Sequence, residues 1–335
     1  MNILGLNAFH GDSSAAILSG GQLVFALEEE RLNRMKHWAG LPVGSAEACL
    51  AAVEPNSTRH VAISRDPNAH FWRKAIRALA SPSFWGRAGG RAQNNIRVAR
   101  YGGELRAAGL ALPEDTQFHH VEHHRSHMAS AFFASPFEEA AVVSVDGFGD
   151  FSSVMWGVGK GNKMDVRGAV HFPHSLGIYY TAFTQFLGFP KYGDEYKMMG
   201  LAAYGEPRFA KQVRDVLRTE GGQVRLNLDY FTHHDRGVDM TWDGGEPVIK
   251  PIYSKKMLDG FGQPRLARSE IQQVHMDMAA SVQMVLEENY FALLNHVAAQ
   301  TGQKRLCLAG GVALNCAANG SLFERTPFRE LFIQP

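Results

Sequence analysis

The sequence predicts a duplicated α/β fold in which each half is built on a mixed sheet that opens with a meander. Two observations predict it. A pattern of strand, loop, strand, tight turn and strand opens the chain, and the same pattern returns near its middle. The first copy has an apolar run over 2–6, a polar loop (Phe9, His10, Gly11, Asp12, Ser13, Ser14), a second run over 15–18, a Gly20-Gly21 turn and a return over 23–27. The second has a strand over 140–145, the loop Asp146-Gly147-Phe148-Gly149-Asp150, a strand over 153–158, a turn at 159–162 and a third run over 164–170.

Each loop is rich in Gly, Ser and Asp, which let a phosphate approach main-chain N–H groups closely. Either loop alone reads as an ordinary hairpin connection. Two in equivalent places of a repeat point to a ligand, with the loops facing each other across a cleft. The expected division is 1–138 for the first lobe, with a basic insertion around 65–110, and 139–335 for the second.

Composition excludes several classes. The 335 residues are 45% hydrophobic and 20% charged, with net charge +1, so no global bias points to nucleic acid or a membrane. Cys49, Cys307 and Cys316 are too few and too scattered for a disulfide framework or a thiolate zinc site. No basic-flanked apolar leader opens the chain, and no run approaches the ~18 apolar residues of a membrane span. A cytoplasmic setting is expected.

Between the repeats, Glu28, Glu29, Glu30 and Arg31 lead to Arg34, Lys36 and His37. Residues 73–100 hold seven basic side chains and no acidic one, with Phe71, Trp72, Phe84 and Trp85 beside or within the run and Pro82 interrupting it. This is either a solvated insertion or a basic lip that guides anionic ligands. No nucleic-acid motif accompanies it.

Residues 119–127 read His-His-Val-Glu-His-His-Arg-Ser-His and enter an Ala-rich stretch with good helix propensity. His123 and His127, four apart, project from one helical face at metal-ligand separation. Asp146, ending the next strand, adds a third and harder ligand. Two imidazoles and a carboxylate suit Fe(II), and Mn or Zn also fits. The glutamate of a zinc-protease helix is absent from the intervening places.

Further on, residues 191–205 form a loop dense in Gly, Lys and acids, with Lys197 as its candidate phosphate contact. A long core helix is expected from a Ser269 N-cap to Gln300, stopped by Gly302, with Ile271, Val274, Met278, Val282, Val285 and Leu293 as its buried stripe. A strand over 305–309 then meets Gly310-Gly311 and turns into a helix, an arrangement that sets an anion or nucleotide at a helix N-terminus. Asn315 and Asn319 stand there to bond ribose or phosphate.

With these pieces assembled, the chain resembles the O-carbamoyltransferases of the nodulation-protein and antibiotic-tailoring type. The matching stretches are GLNAFHGDSSAAIL, ALEEERLNRMKHW, EHHRSHMASAFFASPFEEAAVVSVDGFGD, FPHSLGIYY, GDEYKMMGLAAYG and LAGGVALNCAANG. The resemblance implies the duplicated ribonuclease-H-like fold of the actin, Hsp70 and sugar-kinase ATPases. It implies transfer of a carbamoyl group from carbamoyl adenylate, made from carbamoyl phosphate and ATP, to a small-molecule hydroxyl, as in natural-product tailoring.

The ligands it implies for a divalent metal, Fe(II) first, are His123, His127 and Asp146. His10 would sit by the carbamoyl group, with Arg31 and Lys36 near the acceptor. Gly11, Asp12, Ser13, Gly147, Lys197, Gly200, Gly310, Gly311 and Asn315 fall in nucleotide-contacting motifs. The family continues past this point with another acidic loop, which completes the metal site, and a YrdC-like domain that makes the adenylate. The chain is therefore expected to be the first part of a longer enzyme, inactive alone, and a homodimer is the assembly to look for. The rival readings are an actin-like sugar kinase or ATPase, a non-catalytic nucleotide-binding regulator and a metallohydrolase.

Overall fold

A computed structural model describes residues 1–80, 97–238, 240–241 and 247–334. The chain forms two compact units, Met1–His123 with Met240–Val248, and His124–Asp239 with Ile249–Pro335. Each is organised around one five-stranded mixed sheet.

In the first unit β1 (Asn2–Asn7), β2 (Ser14–Ser19) and β3 (Gln22–Glu28) form the meander, followed by β4 (Thr58–Ile63) and β5 (Gln117–His120). The strand order is β3-β2-β1-β4-β5. β1 runs antiparallel to β2, β2 antiparallel to β3, and β1, β4 and β5 are parallel. Gly20 and Gly21 turn between β2 and β3 with positive φ. Alternation places Leu4, Leu6, Ala15 and Ile17 in the core, together with Val61, Ile63, Tyr101 and Leu105.

The second unit repeats the plan with β6 (Glu139–Gly149), β7 (Ser152–Lys160) and β8 (Lys163–His171), then the strands Arg305–Ala309 and Glu330–Ile333. Its order is Glu330–Ile333, Arg305–Ala309, β6, β7, β8, with the meander antiparallel and the two later strands parallel to β6. The shared order of a three-strand meander followed by two parallel strands beside the first makes this a duplicated ribonuclease-H-like fold. Helix Leu176–Phe186 and the long helix Gln273–Thr301 supply much of the larger core, including Tyr179, Phe183, Val282, Val285 and Leu293. A smaller core joins Met128, Ala131 and Phe132 to Ala140, Val142, Met155, Cys307 and Ala309.

Three expectations need correction. Asp146 does not end its strand: β6 continues to Gly149, but its pairing register breaks between Val145 and Gly149, so Asp146 sits in an irregular stretch. The long helix begins at Gln273, because Gln272 and His275 form a reciprocal capping box, and Gly302 stops it as expected with φ of 69°. Ile271 and Val274 are therefore 38% and 46% exposed, while Met278, Val282, Val285 and Leu293 are buried. Lys197 stands on a helix, Glu195–Ala202, and not in a loop. Within the expected basic insertion, Pro82, Phe84, Trp85, Arg87 and Arg91 lie outside the described residues. No helix among the described residues is long and apolar enough to cross a membrane.

Candidate metal and nucleotide site

The histidine-rich segment folds as the helix His123–Ala134. Met128, Ala131 and Phe132 fix one face to the sheet. The buried His124 ring adds a tie, its Nδ1 2.8 Å from Ser144 Oγ on β6. With that face committed, His123 and His127 share another side of the helix one turn apart. His127 Nε2 lies 3.2 Å from Asp146 Oδ2. Ligand atoms of His123, His127 and Asp146 all fall within 4.8 Å of one another, with His123 buried and the other two half-buried. His10 packs its ring against that of His123, centroids 5.6 Å apart.

The Asp146 carboxylate is held by main-chain donors. Its Oδ1 accepts from Gly147 N at 2.7 Å and from Gly311 N at 3.3 Å, leaving Oδ2 turned to His127. Gly310 makes the approach of Gly311 possible. It adopts φ of +94°, and a Cβ there would stand 2.4 Å from Val145 O, so no other residue lets these two strand ends come so close. Ser175, fully buried, caps helix Leu176–Phe186 by accepting from Ile178 N. Its hydroxyl also reaches Gly147 O at 2.7 Å and Asp146 O at 3.1 Å, holding the main chain on both sides of that peptide.

The first loop is tied by side chains. Asn7 donates to the carbonyls of Gly11 and Asp12. Ser13, 1% exposed, contacts His10 O and Gly40 O through its hydroxyl and accepts from Gly40 N. The N–H groups of Phe9 and Ser13 bond to Gly40 O and Trp38 O. Asp12, in the left-handed region at φ of 60°, places Oδ1 2.7 Å from His37 Nδ1, and His37 N donates to Glu30 Oε2. The Asp12 hydrogen bond is the main reason that the His37 imidazole is held above its ordinary pKa. Asp12, Glu30 and His37 also bring ligand atoms within 4.8 Å of one another. Arg31 is exposed and pairs with Glu28 at 3.2 Å, and Lys36 is exposed. Glu29 is buried because both its oxygens accept main-chain N–H groups of Gly44 and Ser45, at the start of helix Val43–Ala51.

The later motifs surround a cavity of about 380 Å³ in the second unit, lined by Met199, Ala203, Gln283, Met284, Glu287 and Arg325 among others. Gln283 organises one side of it. It exchanges two hydrogen bonds with Asn315 (2.9 and 3.1 Å), donates to Glu287 at 2.8 Å and accepts from the Tyr180 hydroxyl at 2.7 Å. Burial pushes the Tyr180 phenol up, which keeps it a donor. Asn315 also caps the short helix Cys316–Gly320, accepting from Ala318 N, after a 3-10 turn over Gly311–Leu314. Lys197 pairs with Asp194 at 2.6 Å, which raises its pKa, and Gly200 is exposed on the same helix.

Sequence reasoning placed His123, His127 and Asp146 together and gave no role to Asn7, Ser175 or Gln283. A polar residue closing an apolar strand and a Ser before an apolar helix are the signals that could have found the first two. Gln283, mid-helix, carries no such signal.

The sequence profile described as Carbamoyltransferase N-terminus matches residues 97–335. The chain belongs to this family. An uncharacterized protein of Synechocystis, sll1178, is 38% identical over 100% of this chain and 54% of its own length. Nodulation protein NolNO of Sinorhizobium fredii is 32% identical over 98% of this chain and 44% of its own. This carbamoyltransferase-family chain thus spans about half the length of the curated relatives it matches. Among solved structures, T.kodakarensis HypF aligns with 99% of this chain and 44% of its own, at 12% identity and a TM-score of 0.46.

Proposed function

We propose that this chain is the metal- and nucleotide-binding part of an enzyme that transfers a carbamoyl group from carbamoyl adenylate to a hydroxyl of a small molecule. The adenylate would come from carbamoyl phosphate and ATP. The observation that carries the reading is the convergence of His123, His127 and Asp146, with one Asp146 oxygen fixed by Gly147 and Gly311 and the other turned to His127. Kinases of this fold transfer phosphate without needing a histidine pair, so the set favours acyl transfer over the sugar-kinase alternative.

The donor set fits a divalent transition metal: two neutral imidazoles and one carboxylate, all on regular or pinned backbone, suit Fe(II), Mn(II) or Zn(II). Bound there, the metal would supply positive charge to stabilise the oxygen that becomes negative when the carbamoyl carbon is attacked. The protein's groups do the rest. His10, in contact with His123, takes the proton of the acceptor hydroxyl as its oxygen bonds to the carbamoyl carbon. The bond from that carbon to the phosphate oxygen breaks, and AMP leaves. The cavity beside Met199 and Met284 has soft apolar walls for a purine, and Glu287 and Arg325 give it a polar rim. Arg31, Lys36 and Lys197 are the cations this reading assigns to acceptor or phosphate.

The test is a calorimetric titration of Mn(II), and of Fe(II) without oxygen, into the chain, followed by AMP or ATP. The wild type should bind one metal, and His127→Ala and Asp146→Asn should each weaken it about 100-fold or more, since losing even an outer partner of a metal ligand costs ~10–100-fold. Nucleotide should still bind both variants through the separate cavity. Metal binding indifferent to both substitutions would sink the proposal.

A further inference from the structure

We infer that the helix Phe71–Ala80 is an interfacial helix that docks the protein on an anionic lipid surface. The helix is turned inside out. Phe71, Trp72, Ile76 and Leu79 are 59%, 76%, 66% and 78% exposed, a density of large apolar side chains in solvent that a surface helix ordinarily avoids. At roughly 100° per residue, these four and Ala75 fall within an arc of ~140°. Arg73, Lys74 and Arg77 occupy the opposite arc, and the Lys74 amine reaches back to Pro67 O at 3.0 Å. Lys74 and Arg77 are half-buried against the unit, Arg73 is exposed, and the apolar side is turned to water.

The segregation of charge and apolar surface identifies the partner. A nucleic acid needs cations and aromatic rings on one face, so that phosphates and bases are met together, and it has no use for Ile76 and Leu79. An interfacial helix needs the arrangement seen here: aromatic and branched apolar groups that enter the acyl boundary, a Trp at headgroup level, and cations above the plane that meet anionic headgroups. Residues 73–100 contain seven basic side chains and no acidic one in the sequence, a charge that complements an anionic surface. The net charge of +1 for the whole chain averages this local excess away.

The experiment is co-sedimentation of the full chain with vesicles of phosphatidylcholine alone and of equal parts phosphatidylcholine and phosphatidylglycerol, with Trp72→Phe as the optical control. Binding should be confined to the anionic vesicles and weaken at high salt. Ile76→Asp, at an exposed position, should lower partitioning about tenfold or more while leaving thermal unfolding and metal binding unchanged. The vesicle-induced blue shift of tryptophan emission should be lost in Trp72→Phe, although that variant still binds. Equal binding to neutral vesicles, no binding to anionic ones, or normal binding by Ile76→Asp would each overturn the proposal. A dimer in sedimentation velocity that Ile76→Asp dissociates would overturn it in favour of a second copy of the chain.

Discussion

The two sheets share one topology yet secure their first loops by different physics. In the second unit β7 is buried along nearly its whole length, because helices pack on both faces of the sheet. In the first unit β3 is largely exposed, with Leu23, Val24 and Phe25 at the surface, and one core covers the sheet. Asp146 is accordingly fixed by close approach of backbone to backbone at Gly310 and Gly311. The first loop, lacking that pressure, adds side-chain hydrogen bonds from Asn7 and Ser13 to the main-chain bonds of Phe9 and Ser13. A repeated fold thus leaves open which interactions make a site rigid, and packing density decides.

The sharpest way to break this contrast is to compare glycines. Gly310→Ala puts a methyl 2.4 Å from Val145 O at a φ of +94°, so the strand ends must separate. We expect a loss of about 3 kcal/mol in denaturant unfolding, together with weaker metal binding as Asp146 loses its Gly311 donor. Gly20→Ala, at a φ of +59° with open space around it, should cost only about 1 kcal/mol and leave metal binding alone. Equal costs would show that close packing does not distinguish the units.

That pair also marks how far the sequence was legible. The meanders, the Gly302 stop and the histidine pair were readable because each rests on local spacing: alternation, a left-handed cap, and i,i+4 geometry. The start of the long helix was not, since a Gln-His capping box replaces the Ser269 cap that pattern alone suggests. The sequence marks Asn315 as a nucleotide contact but not that its side-chain carbonyl caps a helix and its amide pairs with Gln283, which is 32 residues away. Long-range partners of this kind leave no periodic trace.

A smaller effect separates two serines that anchor the two loops. Ser175→Ala removes a helix cap and the hold on both carbonyls flanking Gly147, and should cost about 1–2 kcal/mol and roughly tenfold in metal affinity. Ser13→Ala strands the Gly40 N–H and should cost a similar amount, about 1–2 kcal/mol, with metal affinity unchanged. Differential scanning calorimetry and metal titration read the two quantities separately. Loss of metal affinity in Ser13→Ala would show that the first loop's order is transmitted to the histidine helix.

The smallest expected effect is a pH dependence carried by the first loop. His37 is raised above 6.5 chiefly by its hydrogen bond to Asp12, so the folded state binds this proton more tightly than the unfolded chain does. Its stabilisation is complete below the ordinary histidine pKa and disappears as pH rises through the raised folded value. The sign is therefore a decline in stability on going from mildly acidic to mildly alkaline solution. Asp12 is 45% exposed, so solvent screens the pair and the decline should stay below about 1 kcal/mol. Asp12→Asn should flatten the profile over that window, as read by unfolding midpoints at a series of pH values. A decline that survives Asp12→Asn would assign the dependence to another group and leave the Asp12–His37 contact as a positional tie alone.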